Sequence, residues 1–236
     1  MMWCHTTDLA ALREILHLRV MRPQPCHVFK EDLTYMFYGR PAYRFKDDKP
    51  LLDEYAWPVI LVFTNDIERL GKVIYPFDSG AFENKRYSRW LKPEWKIDDF
   101  ALDIVRQSHA THVGAFYSTN DRYLLGNGKH FERGSFGFAV EAAAIAKMIR
   151  ESHEAAADDR RIAVELILDK DIPIDSKHLK GIIVPAELIG EPELASIQAE
   201  GVLVYPYRLI THQTAREHHR LLEDEVYKLL EANKCL

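Results

Sequence analysis

Residues Arg161–Leu168 read RIAVELIL. In an extended chain successive side chains point to opposite faces. Ile162, Val164, Leu166 and Leu168 then share one face, and Ala163, Glu165 and Ile167 share the other. Both faces are apolar, which predicts a strand covered on both sides inside a sheet. Glu165 is the exception. A carboxylate in the middle of such a strand is costly unless it is paired or put to use. The plain account is a structural salt bridge to Arg160, Arg161 or a distant lysine. The other account is a functional acid, and the local pattern argues hardest for function here.

Working outward, Gly181–Pro185 and Gly201–Tyr205 read as further strands, and Trp57–Thr64 (WPVILVFT) as a buried one. Met2–Thr6 reads as a first strand and Leu33–Tyr38 as another, ended by Gly39 and Pro41. Thr7 is expected to cap a short amphipathic helix over Asp8–His17, with Leu9, Leu12 and Leu16 on its inner face. Asp66–Leu70 reads as one or two helical turns. The sequence predicts a mostly buried, Ala-rich helix over Ser135–His153 and a long one over Thr211–Asn233. Phe100, Ile104 and Val105 suggest helix within Ile97–His109, and Val113–Ser118 suggests a strand. Residues 71–96 and 120–134 lack a clear period and read as loop. The expectation is one α+β domain over 1–236, with an irregular insertion around 66–134 and a C-terminal helix over 211–233.

Composition bounds the function. The chain has 236 residues, 47% of them hydrophobic, enough for a substantial core. Its formal charge is −5, with 15 Lys+Arg against 13 Asp+Glu in residues 1–96. That small local excess does not argue for nucleic acid on charge alone. Three cysteines, Cys4, Cys26 and Cys235, form no framework or CxxC pair. With no leader-like N-terminus and no run of about 20 apolar residues, a cytoplasmic location and no membrane partner are expected. Neither GxGxxG nor a P-loop occurs.

Two further positions stand out. The stretch Leu33–Lys46, LTYMFYGRPAYRFK, sets Tyr35, Phe37, Tyr38 and Tyr43 around Gly39-Arg40-Pro41. Rings offer stacking faces for a flat group, and Arg40 offers a planar fork suited to phosphate. An aromatic turn that pins the edge of the domain would look the same. His5, in CHTT, ends the first strand, where a histidine with an ordinary hydrogen bond is also common. Other candidates are weaker. His212, His218 and His219 have no HExxH spacing, and no metal site is expected. His109 and His112 lack a partner motif. Cys26 and His27 are adjacent and would not face each other. Ser79 in DSGA does not fit GxSxG, and Asp98-Asp99 reads as a helix start.

Taken in order, these residues resemble the ADP-ribosyltransferase fold, and within it the DarT-like toxins that modify DNA. The likeness rests on His5-Thr6-Thr7 followed by LAALREIL, on FYGRPAYR with Arg40, and on AVELILDKDIPI followed by LKGIIVPAELI with Glu165. It covers the beginning and the last third of the chain. It implies a split β-sandwich with flanking helices and a cleft for NAD, used as a substrate without a metal. It implies that His5 and Thr7 hold the ribose and amide, and that Tyr38 or Tyr43 stacks near the nicotinamide. Arg40 would contact the phosphates or the acceptor, and Glu165 the nicotinamide ribose. The expected activity is transfer of ADP-ribose to a nucleic acid or protein, with an inhibitory partner protein as in a toxin pair. The alternatives are an NAD glycohydrolase, a phosphotransferase on 2′-phosphorylated RNA ends, or a non-catalytic nucleotide- or protein-binding module.

Overall fold

The computed structural model describes residues 1–42, 50, 52–132, 139–151, 159–210 and 212–236. The strands are β1 (Trp3–Asp8), β2 (Val20–Met21), β3 (Gln24–Cys26), β4 (Glu31–Tyr38), β5 (Pro58–Phe63), β6 (Gly71–Tyr75), β7 (Glu165–Leu168), β8 (Ile172–Pro173), β9 (Leu179–Pro185) and β10 (Leu203–Tyr207). The helices are α1 (Leu9–Leu18), α2 (Ser79–Glu83), α3 (Ser108–Tyr117), α4 (Asn120–Leu124), α5 (Val140–Arg150), α6 (Pro192–Ala199) and α7 (Ala215–Ala232). The class is α+β. The main sheet runs β10-β9-β5-β1-β4-β7-β6, with β3 on β4, and β2 pairs with β8 apart from it. Its pairs are antiparallel except β10 with β9.

The sheet is unevenly joined. β1 lies along β5 for six residue pairs, from Trp3–Phe63 to Asp8–Pro58. It meets β4 only at Trp3–Tyr38 and Cys4–Phe37, where Gly39 N also donates to Met2 O (2.8 Å). Beyond Cys4 the two strands part. β10-β9-β5-β1 then continues on one side, and β4-β7-β6 on the other.

Helix α1 starts one residue later than expected. The cap is Asp8, not Thr7: its Oδ1 accepts from Ala11 N (2.9 Å), while Thr7 stays in β1, paired with Val59. The carboxylate satisfies an otherwise orphaned amide at the positive end of the helix dipole. Helix α7 begins behind Thr214, whose side chain accepts from Glu217 N, and buries Leu222, Val226, Leu229 and Leu230.

Two readings of the sequence are corrected. The stretch expected as a strand over Val113–Ser118 is the end of α3 and its cap Ser118, and the buried positions of α3, His109, His112, Val113, Phe116 and Tyr117, fall at i, i+3, i+4, i+7 and i+8. The two histidines are core residues, and counting them as polar hides the helical stripe. The stretch expected as an irregular insertion around 66–134 contains β6, α2, α3 and α4 among its described residues. β6 is a short edge strand stopped by Pro76, and it pairs with β7. Phe77, Phe82, Tyr87, Trp95 and Phe100 meet ring to ring beyond it. The Ala-rich helix is described as Val140–Arg150, and its expected ends fall partly outside the described residues. No helix among the described residues is long and apolar enough to cross a membrane.

Gly39 closes β4 at φ +65°, in the left-handed region, and an added Cβ would meet Met1 Sδ at 2.8 Å and Leu124 Cδ2 at 3.1 Å. Gly39→Ala is expected to destabilise the protein by about 1–2 kcal/mol from the backbone term alone, read as a lowered urea midpoint. An unchanged midpoint would contradict the left-handed turn.

Candidate active site

The strand that carries Glu165 is shorter than its sequence suggests. Asp159–Ile162 is a turn of 3₁₀-helix, and β7 begins at Glu165, so the carboxyl sits at the start of the strand rather than in its middle. Two arginines of this turn are held by their side chains. Arg160 Nη1 pairs with Asp78 Oδ2 at 3.0 Å. Arg161 donates to Met148 O and lies over the Trp90 ring. Burial agrees with the sequence, since every residue from Arg161 to Leu168 is buried. β7 is flanked by β4 and β6, with Phe37 and Tyr75 opposite Glu165.

Register decides which rings reach the acid. Opposed residues share a face, so Phe37 and Tyr35, opposite Glu165 and Ile167, lie on its side of the sheet. Tyr38 falls on the other side. Its ring packs on Trp3, His109 and Tyr123, and its hydroxyl accepts from the Met1 amino group (2.6 Å). The expectation of a stacking role for Tyr38 is therefore corrected: it is a core residue. Tyr43 lies outside the described residues.

Glu165 borders a cavity of about 210 Å³ together with Asp78, Gly80, Arg160, Tyr35, Phe37 and Cys26. A larger cavity of about 520 Å³ is lined by His5 and Thr7 of β1, Ala11, Glu14, Ile15 and Leu18 of α1, residues 20–22 and 24–28, and Leu33–Tyr35. The two meet at Cys26, Val28 and Tyr35. Their combined size is that of a small-molecule or cofactor site. They occupy the region where β1 and β4 part. His5 Nδ1 lies 2.8 Å from the Tyr35 carbonyl there, a group left without a β1 partner. A carbonyl only accepts, so Nδ1 carries the proton and Nε2 remains an acceptor. His5 is half-buried by area but deep in the protein mass, and burial lowers its pKa, partly offset by that bond.

Arg40 is placed elsewhere. Its Nη2 donates to Tyr123 O (2.6 Å) and Leu124 O (2.7 Å), and its guanidinium lies over the Tyr123 ring. It lines a separate cavity of about 220 Å³ with Glu223, Asp224 and Tyr227. The guanidinium ties the last turn of α4 to the end of β4, so Arg40, expected to contact the phosphates or the acceptor, does not line the cavity that Glu165 borders. Among the described residues, the arginines that line these two cavities are Arg22 and Arg160. Sequence reading passed over Arg22 because nothing near it has a motif.

The surroundings of Glu165 are built by the segment YPFDSGAF. Asp78 caps α2, its Oδ1 accepting from Ala81 N (2.7 Å). Ser79 N donates to Glu165 Oε2 (2.9 Å), and the buried Ser79 hydroxyl lies against the same carboxyl without meeting hydrogen-bond geometry. Burial pushes Glu165 up from the ordinary 4.5 to about 8, and the Asp78 charge adds to the rise. Ser79 and the Arg160 charge oppose it. In the sequence Asp78 and Ser79 lie in a stretch read as loop, and Ser79 stands out only for not fitting GxSxG, since the contact to Glu165 spans 86 residues. Among the described residues no group of three or more His, Cys, Asp or Glu side chains is arranged to hold a metal. Compared with family models, curated proteins and solved structures, the chain matches none.

The folded protein holds a proton on Glu165 that the unfolded chain releases above its ordinary pKa. Stability contributed by this group is thus lost as pH rises from about 4.5 toward about 8. Glu165→Gln lacks the titration, so its stability relative to the native protein is expected to rise across that window in urea melts. A difference independent of pH would mean that Glu165 ionises normally.

Proposed function

We propose that the chain is an NAD-dependent ADP-ribosyltransferase of the split β-sandwich kind, transferring ADP-ribose to a macromolecular acceptor. The observation that carries this reading is the buried Glu165 on a cavity that meets a larger one headed by His5 and Thr7, where β1 and β4 part. The larger cavity takes the adenosine and diphosphate, with Arg22 as the cation near the phosphates. The smaller one takes the nicotinamide ribose, with Tyr35 and Phe37 supplying the ring faces assigned above to Tyr38 and Tyr43.

In the reaction the bond between nicotinamide nitrogen and ribose C1′ breaks, and its electron pair leaves with nicotinamide. The leaving group becomes neutral and the ribose carries the positive charge. Glu165, as the anion, accepts from the ribose 2′-hydroxyl and stabilises that charge in a poorly hydrated site. An oxygen or nitrogen of the acceptor then bonds to C1′ and loses its proton. Lys85, Arg86, Arg89, Lys92 and Lys96 are exposed on the segment after α2, with Trp90 and Trp95 between them. That grouping favours a polyanionic acceptor over water.

The test is nicotinamide release from NAD by the purified protein, alone and with DNA, RNA or cell protein. Release is expected to require one of these acceptors, to increase with pH toward about 8 as Glu165 ionises, and to fall by ~10²–10³-fold in Glu165→Gln. Release into plain buffer would indicate a glycohydrolase, and none under any condition a binding module. A second pair of variants separates the arginines. Arg22→Gln is expected to raise the KM for NAD by about tenfold with little change in melting temperature. Arg40→Ala is expected to cost roughly 1.5–3 kcal/mol of stability and leave KM unchanged. The reverse pattern would return the phosphate contact to Arg40.

A further inference from the structure

Asp78 and Arg160 hold each other twice. Their side chains pair at 3.0 Å, and Asp78 N donates to Arg160 O (3.1 Å). One partner begins α2, and the other lies in the turn just before β7. The double link fixes both segments against each other, and Glu165 and Ser79 are brought together beside it. Asp78, Arg160 and Glu165 border the same cavity. The result is a buried arrangement of two carboxylates and one guanidinium in which the cation is paired with Asp78.

We propose that the Asp78–Arg160 pair, held on the wall of the cavity that Glu165 borders, adjusts the charge state that burial imposes on Glu165, so that both members are positioning residues for that acid. Two like charges in one poorly hydrated site resist ionising together, and a cation beside them relieves the cost. A guanidinium and a helix amide both hold Asp78, whereas Glu165 is buried with one amide bond from Ser79, so the proton resides on Glu165. A cationic ligand group entering the cavity supplies the missing positive charge and favours release of that proton. The site thereby prefers a positively charged ring, such as oxidised nicotinamide, over its neutral reduced form. This preference rests on the NAD reading; the control of the proton by the pair does not.

The other ionisable groups around Glu165 do not supply this control. Tyr35 of β4 and Tyr75 of β6 face it, and both phenols are pushed up, chiefly by burial, so they stay neutral near physiological pH. Tyr35 donates to Cys26 Sγ of β3 (2.9 Å), and Tyr75 to Asp98 (3.3 Å). Glu83 of α2 acts on Tyr75 alongside Asp98. Among the described residues, Asp78 is then the anion and Arg160 the cation that act on Glu165.

The experiment follows the Glu165 carboxyl carbon through a pH titration by NMR of protein labelled at glutamate, assigned by its loss in Glu165→Gln. Asp78→Asn keeps an oxygen for Ala81 N but removes the negative charge, and is expected to lower the midpoint by about one unit or more. Arg160→Gln is expected to raise it, and Arg160→Lys to restore it close to the native value. A purely structural role would change the melting temperature of these variants without moving the midpoint, and would overturn the proposal. So would an Asp78→Asn midpoint at or above the native one. If Arg160→Gln does not fold, Asp78→Asn and Arg160→Lys decide between these results. A shifted midpoint in protein that releases no nicotinamide upholds the pair's control while removing the transferase reading. Nicotinamide release with an unmoved midpoint does the opposite.

Discussion

The short junction between β1 and β4 is the constraint on which the rest depends. Two residue pairs join the two halves of the main sheet before the strands separate. A continuous ladder there would close the sheet and leave no room between α1 and β4. The parting instead exposes the Tyr35 carbonyl, which the His5 ring satisfies. A buried carbonyl without a partner costs free energy comparable to a lost hydrogen bond. His5 therefore serves the fold at the position where it borders the larger cavity, and both roles follow from one hydrogen bond.

The second constraint is the burial of Glu165. An isolated anion at this depth is unstable, and the protein meets the problem with several partial answers: an amide from Ser79, the nearby charge of Arg160, and a proton retained into the alkaline range. Asp78 makes the problem worse by its charge and better by its position, because it fixes α2 and Arg160 in place. A site made solely for stability would avoid the second carboxylate. Its presence on the cavity wall fits an acid whose charge state answers to what occupies the cavity.

The sequence carried the burial of residues 161–168, the anomaly of Glu165, most strands of the main sheet, and the helices at both ends of the chain. Each of these depends on local pattern. What it could not show depends on register and distant contact. Tyr35, Phe37 and Tyr38 look alike in LTYMFYGRPAYRFK, and only alternation along β4 together with its pairing to β7 sends the first two toward Glu165 and the third into the core. Arg40 has the appearance of an anion-binding residue, but carbonyls at the end of α4, more than 80 positions away, take its donors. Asp78 lies in a stretch that reads as loop and Arg160 reads as a salt-bridge partner for Glu165 itself, until the fold pairs the two with each other. β6 was hidden because five residues at a sheet edge are too few to establish a period.

The most direct test of the central claim is a titration of isotopically labelled protein with NAD, followed by NMR. Binding between the parted strands predicts shifts at His5, Arg22, Cys26, Tyr35, Phe37 and Glu165, with Arg40, Leu124 and Tyr227 unmoved. Shifts confined to the Arg40 side, or none at saturating NAD, would contradict the assignment of the cleft.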